Sequence, residues 1–358
     1  MSSPLERTEA FCRRYGLRIP MLMAPMAGAC PASLAAAIAG AGGMGACGAL
    51  VMSPDAIRGW AAEVRAASNG AFQLNLWIPD PPAVRDPDNE AKVRAFLAGF
   101  GPEVPPEAGD LGLPDFAAQC EAMLDAGPAV VSSIMGLYPP DYVRRLQARG
   151  VAWWATATTV AEARAAEDAG ADVIVAQGME AGGHRGAFDP ARATTDLVGL
   201  FALVPAVCDA VAVPVVATGG IADARGIAAA LTLGASAVQI GTGLLRTPEA
   251  RLNPAWADAL AEAQPEGTMV SAAFTGRPGR SLANAYARAA AAPDAPAPAP
   301  YPVQRGLTRA MTAAAAQAGD VERMQAWAGQ SARLARAEPA GALAVRLWDE
   351  ARGLLGGG

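Results

Sequence analysis

Apolar runs rich in valine, isoleucine and alanine recur from residue 19 to residue 245, and each is followed by a stretch with helical spacing. Eight of them read as strands: 19–27, 44–50, 72–78, 129–135, 152–158, 172–177, 214–218 and 237–241. Most are apolar at every position rather than at every second one, the mark of strands covered on both faces. Strands of this kind alternating with helices give β/α units around a parallel sheet, and eight units suffice to close it. The predicted fold class is α/β, a TIM (β/α)8 barrel. Ser53-Pro54 and Thr247-Pro248 place a capping hydroxyl before a proline at two helix starts.

Two stretches break the pattern. Residues 79–114 are proline-rich, with scattered charges and no long periodic run, so they read as an insertion after the third strand that covers the barrel mouth. Residues 291–302 alternate alanine with proline and read as a stiff, extended connector. Beyond it, 307–318, 321–337 and 340–355 have helical spacing, which predicts a C-terminal helical accessory layer whose last helix closes the barrel. The expected division is a barrel core over 1–250 and an accessory segment over 251–358. Residues 21–54 carry no charge, but Pro25 and Pro31 interrupt them and their apolar residues are mostly alanine and glycine; a buried strand, helix and strand fit better than a membrane span.

Composition then narrows the chemistry. A net charge of −6 offers no basic face to a phosphate backbone, which argues against a nucleic-acid partner and leaves small, anionic or neutral organic substrates open. Cys12, Cys30, Cys47, Cys120 and Cys208 are odd in number and scattered, without a C-x-x-C pair or a secretory leader, so the expected compartment is the cytoplasm. Lys92 is the only lysine and lies in a solvated, charged stretch, which disfavours Schiff-base chemistry. With one histidine, no catalytic zinc site is expected. Acid–base chemistry by a single imidazole, beside an organic cofactor, remains.

That imidazole is His184, in the glycine-rich loop that follows the sixth strand. Barrels keep their chemistry at such C-terminal strand ends, and Gly182 and Gly183 allow close backbone approach to a ligand. An ordinary imidazole titrates near pH 6.5, so activity that needs it as a base is expected to fall as pH drops through that value. The strands at 214–218 and 237–241 end in Thr218-Gly219-Gly220 and Gly241-Thr242-Gly243, loops whose exposed N–H groups suit a phosphate. Ala24-Pro25-Met26 ends the first strand with small residues that let a flat ring approach. Asn75, Gln177 and Gln239 are amides within or at the ends of apolar strands and must find partners, for which the edge of a polar heteroaromatic ring is one candidate and neighbouring backbone the other.

Ala24-Pro25-Met26, the Gln-Gly-Met-Glu-Ala-Gly-Gly-His-Arg-Gly run at 177–186, Thr218-Gly219-Gly220-Ile221, Gln239-Ile240-Gly241-Thr242, Phe274-Thr275-Gly276-Arg277 and Trp327-Ala328-Gly329-Gln330-Ser331 together resemble the nitronate monooxygenases, formerly called 2-nitropropane dioxygenases. The resemblance spans almost the whole chain. It implies a flavoprotein with FMN phosphate at Gly219, Gly220, Gly241 and Thr242, the flavin bordered by Asn75, Gln177 and Gln239, and His184 as catalytic base. The implied reaction takes a nitronate or nitroalkane and O2 to a carbonyl compound and nitrite or nitrate. Two other readings are an FMN-dependent enoyl-acyl-carrier-protein reductase, which shares the central motif, and a non-catalytic flavin-binding sensor. Arg185 and Ser281 are the candidates for holding the nitro group, and the oligomeric state is left open.

Overall fold

The computed structural model describes residues 3–68 and 70–356. Its strands are β1 (Met21–Met23), β2 (Gly45–Gly48), β3 (Phe72–Trp77), β4 (Val130–Ile134), β5 (Ala152–Ala157), β6 (Val173–Gln177), β7 (Gly183–His184), β8 (Val215–Thr218), β9 (Ala237–Ile240), β10 (Thr268–Ser271) and β11 (Gly279–Leu282). Eight of these form one parallel sheet in the order β1-β9-β8-β6-β5-β4-β3-β2, and each of the eight predicted runs contains one of them. The sheet's ends meet through the parallel bridge Leu22↔Met44, where Met23 N–H reaches Met44 O at 2.9 Å and Met44 N–H reaches Met21 O at 3.2 Å. The sheet is thereby a closed TIM barrel.

Two layers fill its interior. The lower one is apolar, with Leu22, Met44, Val130, Trp154, Val173 and Val216 in one buried cluster. The helix Pro4–Tyr15 plugs that end, stacking Phe11 and Tyr15 on Trp154 with ring centroids 5.6 and 5.0 Å apart. Its start is a capping box, Ser3 Oγ accepting from Glu6 N–H at 3.2 Å while the Glu6 carboxylate accepts from Ser3 N–H at 2.8 Å. Above the apolar layer the inward positions turn polar: Gln73, Asn75, Ser132, Thr156, Gln177, Thr218 and Gln239 are all buried. The outer faces of the strands join the surrounding helices in the largest apolar cluster. The helix Ala340–Leu354 packs between Ala224–Thr232 and Ala32–Gly40, the place of the eighth barrel helix.

Three expectations are corrected. The insertion 79–114 is ordered around the helix Pro87–Leu97, begun by Asp86 Oδ1 accepting from Asn89 N–H at 3.0 Å, with Pro87 at its first position. Its Val93 and Leu97 pack on Phe274, Tyr286, Leu307 and Met311, so the insertion braces the accessory segment and lines no part of the cavity at the mouth. Residues 321–337 are not a helix. Their alanine-rich composition favours one, but the backbone is drawn out along β11, with Leu282 N–H on Ala326 O at 2.9 Å and an antiparallel bridge Ser281↔Trp327. Thr247 caps nothing with its side chain, which donates to Leu244 O at 2.8 Å, and only one 3-10 turn, Pro248–Ala250, follows. Ser53, in contrast, accepts from Ala56 N–H at 3.2 Å and starts the helix Pro54–Ala67.

Candidate active site

The C-terminal ends of the strands open into a cavity of about 610 Å³. Ala24, Pro25, Met26, Asn75, Gln177, Gly182, Gly183, His184, Thr218, Gly219, Gly220, Gln239, Gly241 and Thr242, every residue singled out in the sequence as catalytic or cofactor-binding, line it. Thr218 Oγ1 donates to Gln239 O at 2.9 Å across β8 and β9. The amides are partly satisfied inside the barrel: Asn75 Nδ2 donates to Ser132 Oγ at 3.0 Å, Ser132 Oγ to Gln73 Oε1 at 2.9 Å, and Gln73 Nε2 to Gln239 Oε1 at 3.1 Å. This chain fixes Asn75 and Gln239 from below and leaves their other polar atoms toward the cavity. Gln177 is used differently. Its side chain grips the loop that carries the histidine, donating to His184 O at 3.1 Å and accepting from Gly186 N–H at 2.8 Å.

A three-stranded antiparallel sheet, β10-β11-β7, lies over the mouth and holds His184 opposite Gly279. The histidine is bracketed by Trp77 and Trp327, ring centroids 4.6 and 4.7 Å away, and its Nε2 lies 2.8 Å from Thr275 Oγ1. Tyr301 extends the aromatic wall, 5.2 Å from Trp77. Gly182, two residues before the histidine, has a steric purpose: a Cβ on it would sit 2.5 Å from Gly329 N and 2.7 Å from Ala328 C. That closeness lets residues 327–331 dock on the loop, with Gly329 N–H on Thr242 Oγ1 at 3.0 Å and Gln330 N–H on Glu180 O at 2.9 Å. Glu180 itself is a cap, its carboxylate accepting from Leu200 N–H at 2.9 and 3.1 Å at the start of the helix Leu200–Cys208.

The two candidates for the nitro group fall elsewhere. Arg185 follows His184 on an extended backbone and therefore points the opposite way, where it donates to Gln177 O at 2.6 Å and Asp196 O at 3.0 Å. Ser281 is fully buried and donates to Leu282 O at 2.9 Å. In their stead the cavity presents Arg251, Arg305 and Arg309, and no carboxylate among the described residues lines it. An acidic chain thus keeps a cationic pocket, which its net charge gave no reason to expect. Trp77, Thr275, Tyr301, Arg305 and Trp327 also went unidentified as site residues; only the family motifs holding Thr275 and Trp327 pointed near them.

His184 is held far below the usual imidazole range, down to about 3, first by burial and then by the positive charges of Arg277 and Arg305. The ring is consequently neutral throughout the physiological range, which moves the expected acid limb of activity away from 6.5. Rates with a neutral substrate are expected to show no inflection near pH 6.5 between about pH 5 and about pH 8, checked by a kcat/KM profile. An inflection at 6.5 would show that the surroundings do not depress the imidazole.

The nitronate monooxygenase family profile matches residues 13–350. A nitronate monooxygenase of Pseudomonas aeruginosa is 39% identical over 352 residues, covering 97% of this chain and 100% of that protein. The crystal structure of a nitroalkane oxidase from Streptomyces ansochromogenes superposes with a TM-score of 0.86 at 37% identity, over 97% of this chain and 99% of the other. FabK from Thermotoga maritima superposes with a TM-score of 0.75 at 28% identity, over 97% of both chains. The match runs through the barrel, the histidine loop and the segments that close over it, and the chain belongs to the nitronate monooxygenase family.

Proposed function

We propose that the chain binds FMN and oxidises alkyl nitronates, and nitroalkanes once deprotonated, with O2 to carbonyl compounds and nitrite or nitrate. The observation that carries this reading is the imidazole of His184, bracketed by Trp77 and Trp327 in a cavity whose charged lining groups, among the described residues, are arginines. Such a site attracts anions and keeps a base unprotonated beside them. The cradle suits a phosphate: Gly219 and Gly220, with φ of +115° and +68°, line the cavity and have no side chain to obstruct a ligand. Gly241 and Thr242, just beyond β9, line the same cavity. The small residues Ala24-Pro25-Met26 leave room for a flat ring, with Asn75, Gln177 and Gln239 at its polar edge.

Held at Gly219, Gly220, Gly241 and Thr242, FMN would supply the redox chemistry that takes electrons from the nitronate to O2. The chain supplies the rest: arginines attract the anion, the aromatic wall of Trp77, Tyr301 and Trp327 excludes water, and His184 takes the carbon proton of a neutral substrate. A flavin-binding sensor would need the cradle but not the bracketed base. Five free thiols, four of them buried, suit a reducing compartment, and among the described residues no helix is long and apolar enough to cross a membrane.

The purified protein is expected to be yellow and to release FMN. G-x-G-x-x-G spacings occur at 40–45 and 43–48, but they fall before and within β2 rather than between a strand and a helix, so they seat no pyrophosphate. Release of FAD on denaturation would overturn the assignment. Gly220→Asp adds a negative charge beside the proposed phosphate cradle, brings a Cβ within 3.1 Å of Glu180 Cβ and strains a backbone at φ +68°, so FMN affinity is expected to drop by about tenfold or more in a titration. The deciding experiment is anaerobic mixing with NADH and, separately, with a nitronate. Flavin reduction by the nitronate and not by NADH is expected; rapid bleaching by NADH, with turnover of an enoyl thioester, would select a reductase.

A further inference from the structure

We propose that Thr275 is a positioning residue that fixes the tautomer of His184, placing the ring's proton on Nε2 and leaving Nδ1 as the bare nitrogen. Its functional consequence rests on the reading of His184 as a base; the tautomer does not. A threonine hydroxyl has one proton to give. Thr275 Oγ1 lies 3.1 Å from Arg277 O, which can only accept, and 2.8 Å from His184 Nε2. With the proton on the carbonyl, the same oxygen can only accept from the ring, so Nε2 carries hydrogen. The opposite arrangement would turn an oxygen lone pair toward the buried Arg277 carbonyl. The backbone N–H of Arg277, 3.4 Å from Oγ1, is a further donor to it.

The surroundings hold this arrangement in place. Thr275 is 1% exposed, so no bulk water competes for its hydroxyl. It sits on a turn in which the N–H groups of Thr275 and Gly276 both reach Ala272 O, at 3.2 and 2.7 Å. A Cβ on Gly276 would strike Ala299 O at 2.3 Å, so the turn is clamped against the connector before Tyr301. Trp77 and Trp327 restrain the imidazole from its other sides, and Nδ1 has no hydrogen-bond partner among the described residues, in a ring that lines the cavity.

His184 is the only histidine of the chain, so a protein labelled with 15N-histidine and carrying a histidine-free tag gives one pair of ring nitrogens, with no assignment to make. In the protein as purified, Nε2 is expected to resonate as a protonated nitrogen and Nδ1 as a bare one. Thr275→Val keeps the branched shape but can neither accept nor donate, and is expected to move both signals toward a mixture of tautomers; Thr275→Ser is expected to restore them. A proton on Nδ1 in the wild type, or an unchanged spectrum in Thr275→Val, would overturn the proposal. If the valine variant does not fold, the wild-type spectrum alone still decides. With a neutral nitroalkane, Thr275→Val is expected to lose roughly tenfold in kcat with little change in KM, while a pre-formed nitronate is spared. A shifted tautomer with both substrates unaffected would leave the assignment standing and overturn the reading of His184 as base.

Discussion

His184→Asn is expected to lower turnover of a neutral nitroalkane by about 10²-fold, the low end of what a positioned general base contributes, because an imidazole held so far below its usual range is a weaker proton acceptor. Asparagine keeps a polar group of comparable size between Trp77 and Trp327 but cannot take the carbon proton. A pre-formed nitronate has already lost that proton, so its oxidation should stay much closer to the wild-type rate. The comparison between substrates isolates proton transfer from every other effect of the substitution. Equal losses on both substrates would assign the imidazole to binding or electrostatics. Loss of bound flavin would instead make it a structural part of the loop, held through its hydrogen bond to Thr275.

Asp80→Ala is expected to destabilise the fold by about 3–5 kcal/mol, because it strands a buried cation. Arg277 is 1% exposed, and the Asp80 carboxylate is its charge partner. Its other terminal nitrogen donates to Ala187 O at 2.6 Å, a hydrogen bond that holds the geometry but neutralises nothing. Asp80 lies just beyond β3 and Arg277 just before β11, so the pair ties the insertion to the sheet over the mouth. Urea unfolding would measure the cost; a loss under about 1 kcal/mol, the range of exposed ion pairs, would mean that solvent reaches Arg277. Asp80→Asn, which keeps the acceptor and removes the charge, should fall between the two.

The barrel strands were legible because a parallel strand under helices is apolar throughout, and the glycine pairs after β8 and β9 marked where backbone must lie bare. Residues 321–337 misled for the converse reason: alanine, glutamine and methionine favour a helix locally, but hydrogen bonds to β11 and the close approach of Gly329 to Gly182 override that preference. Arg185 was misplaced by adjacency, since neighbours on an extended backbone face opposite ways. The contact between His184 and Thr275 spans 91 residues, and nothing in the spacing of the two could announce it. The insertion hid its helix behind prolines, although Asp86-Pro87 is itself a start signal.

The aromatic plug of Phe11, Tyr15 and Trp154 makes the barrel a vessel with a single mouth. Traffic through such a vessel is a queue: whatever rests deepest, against the amides of Asn75 and Gln239, enters first and leaves last. On the proposed reading, a molecule seated over it, beside His184, stands between the lower one and the exit. The fold thereby sets an order of entry and exit: the deeper molecule cannot leave until the one above it has.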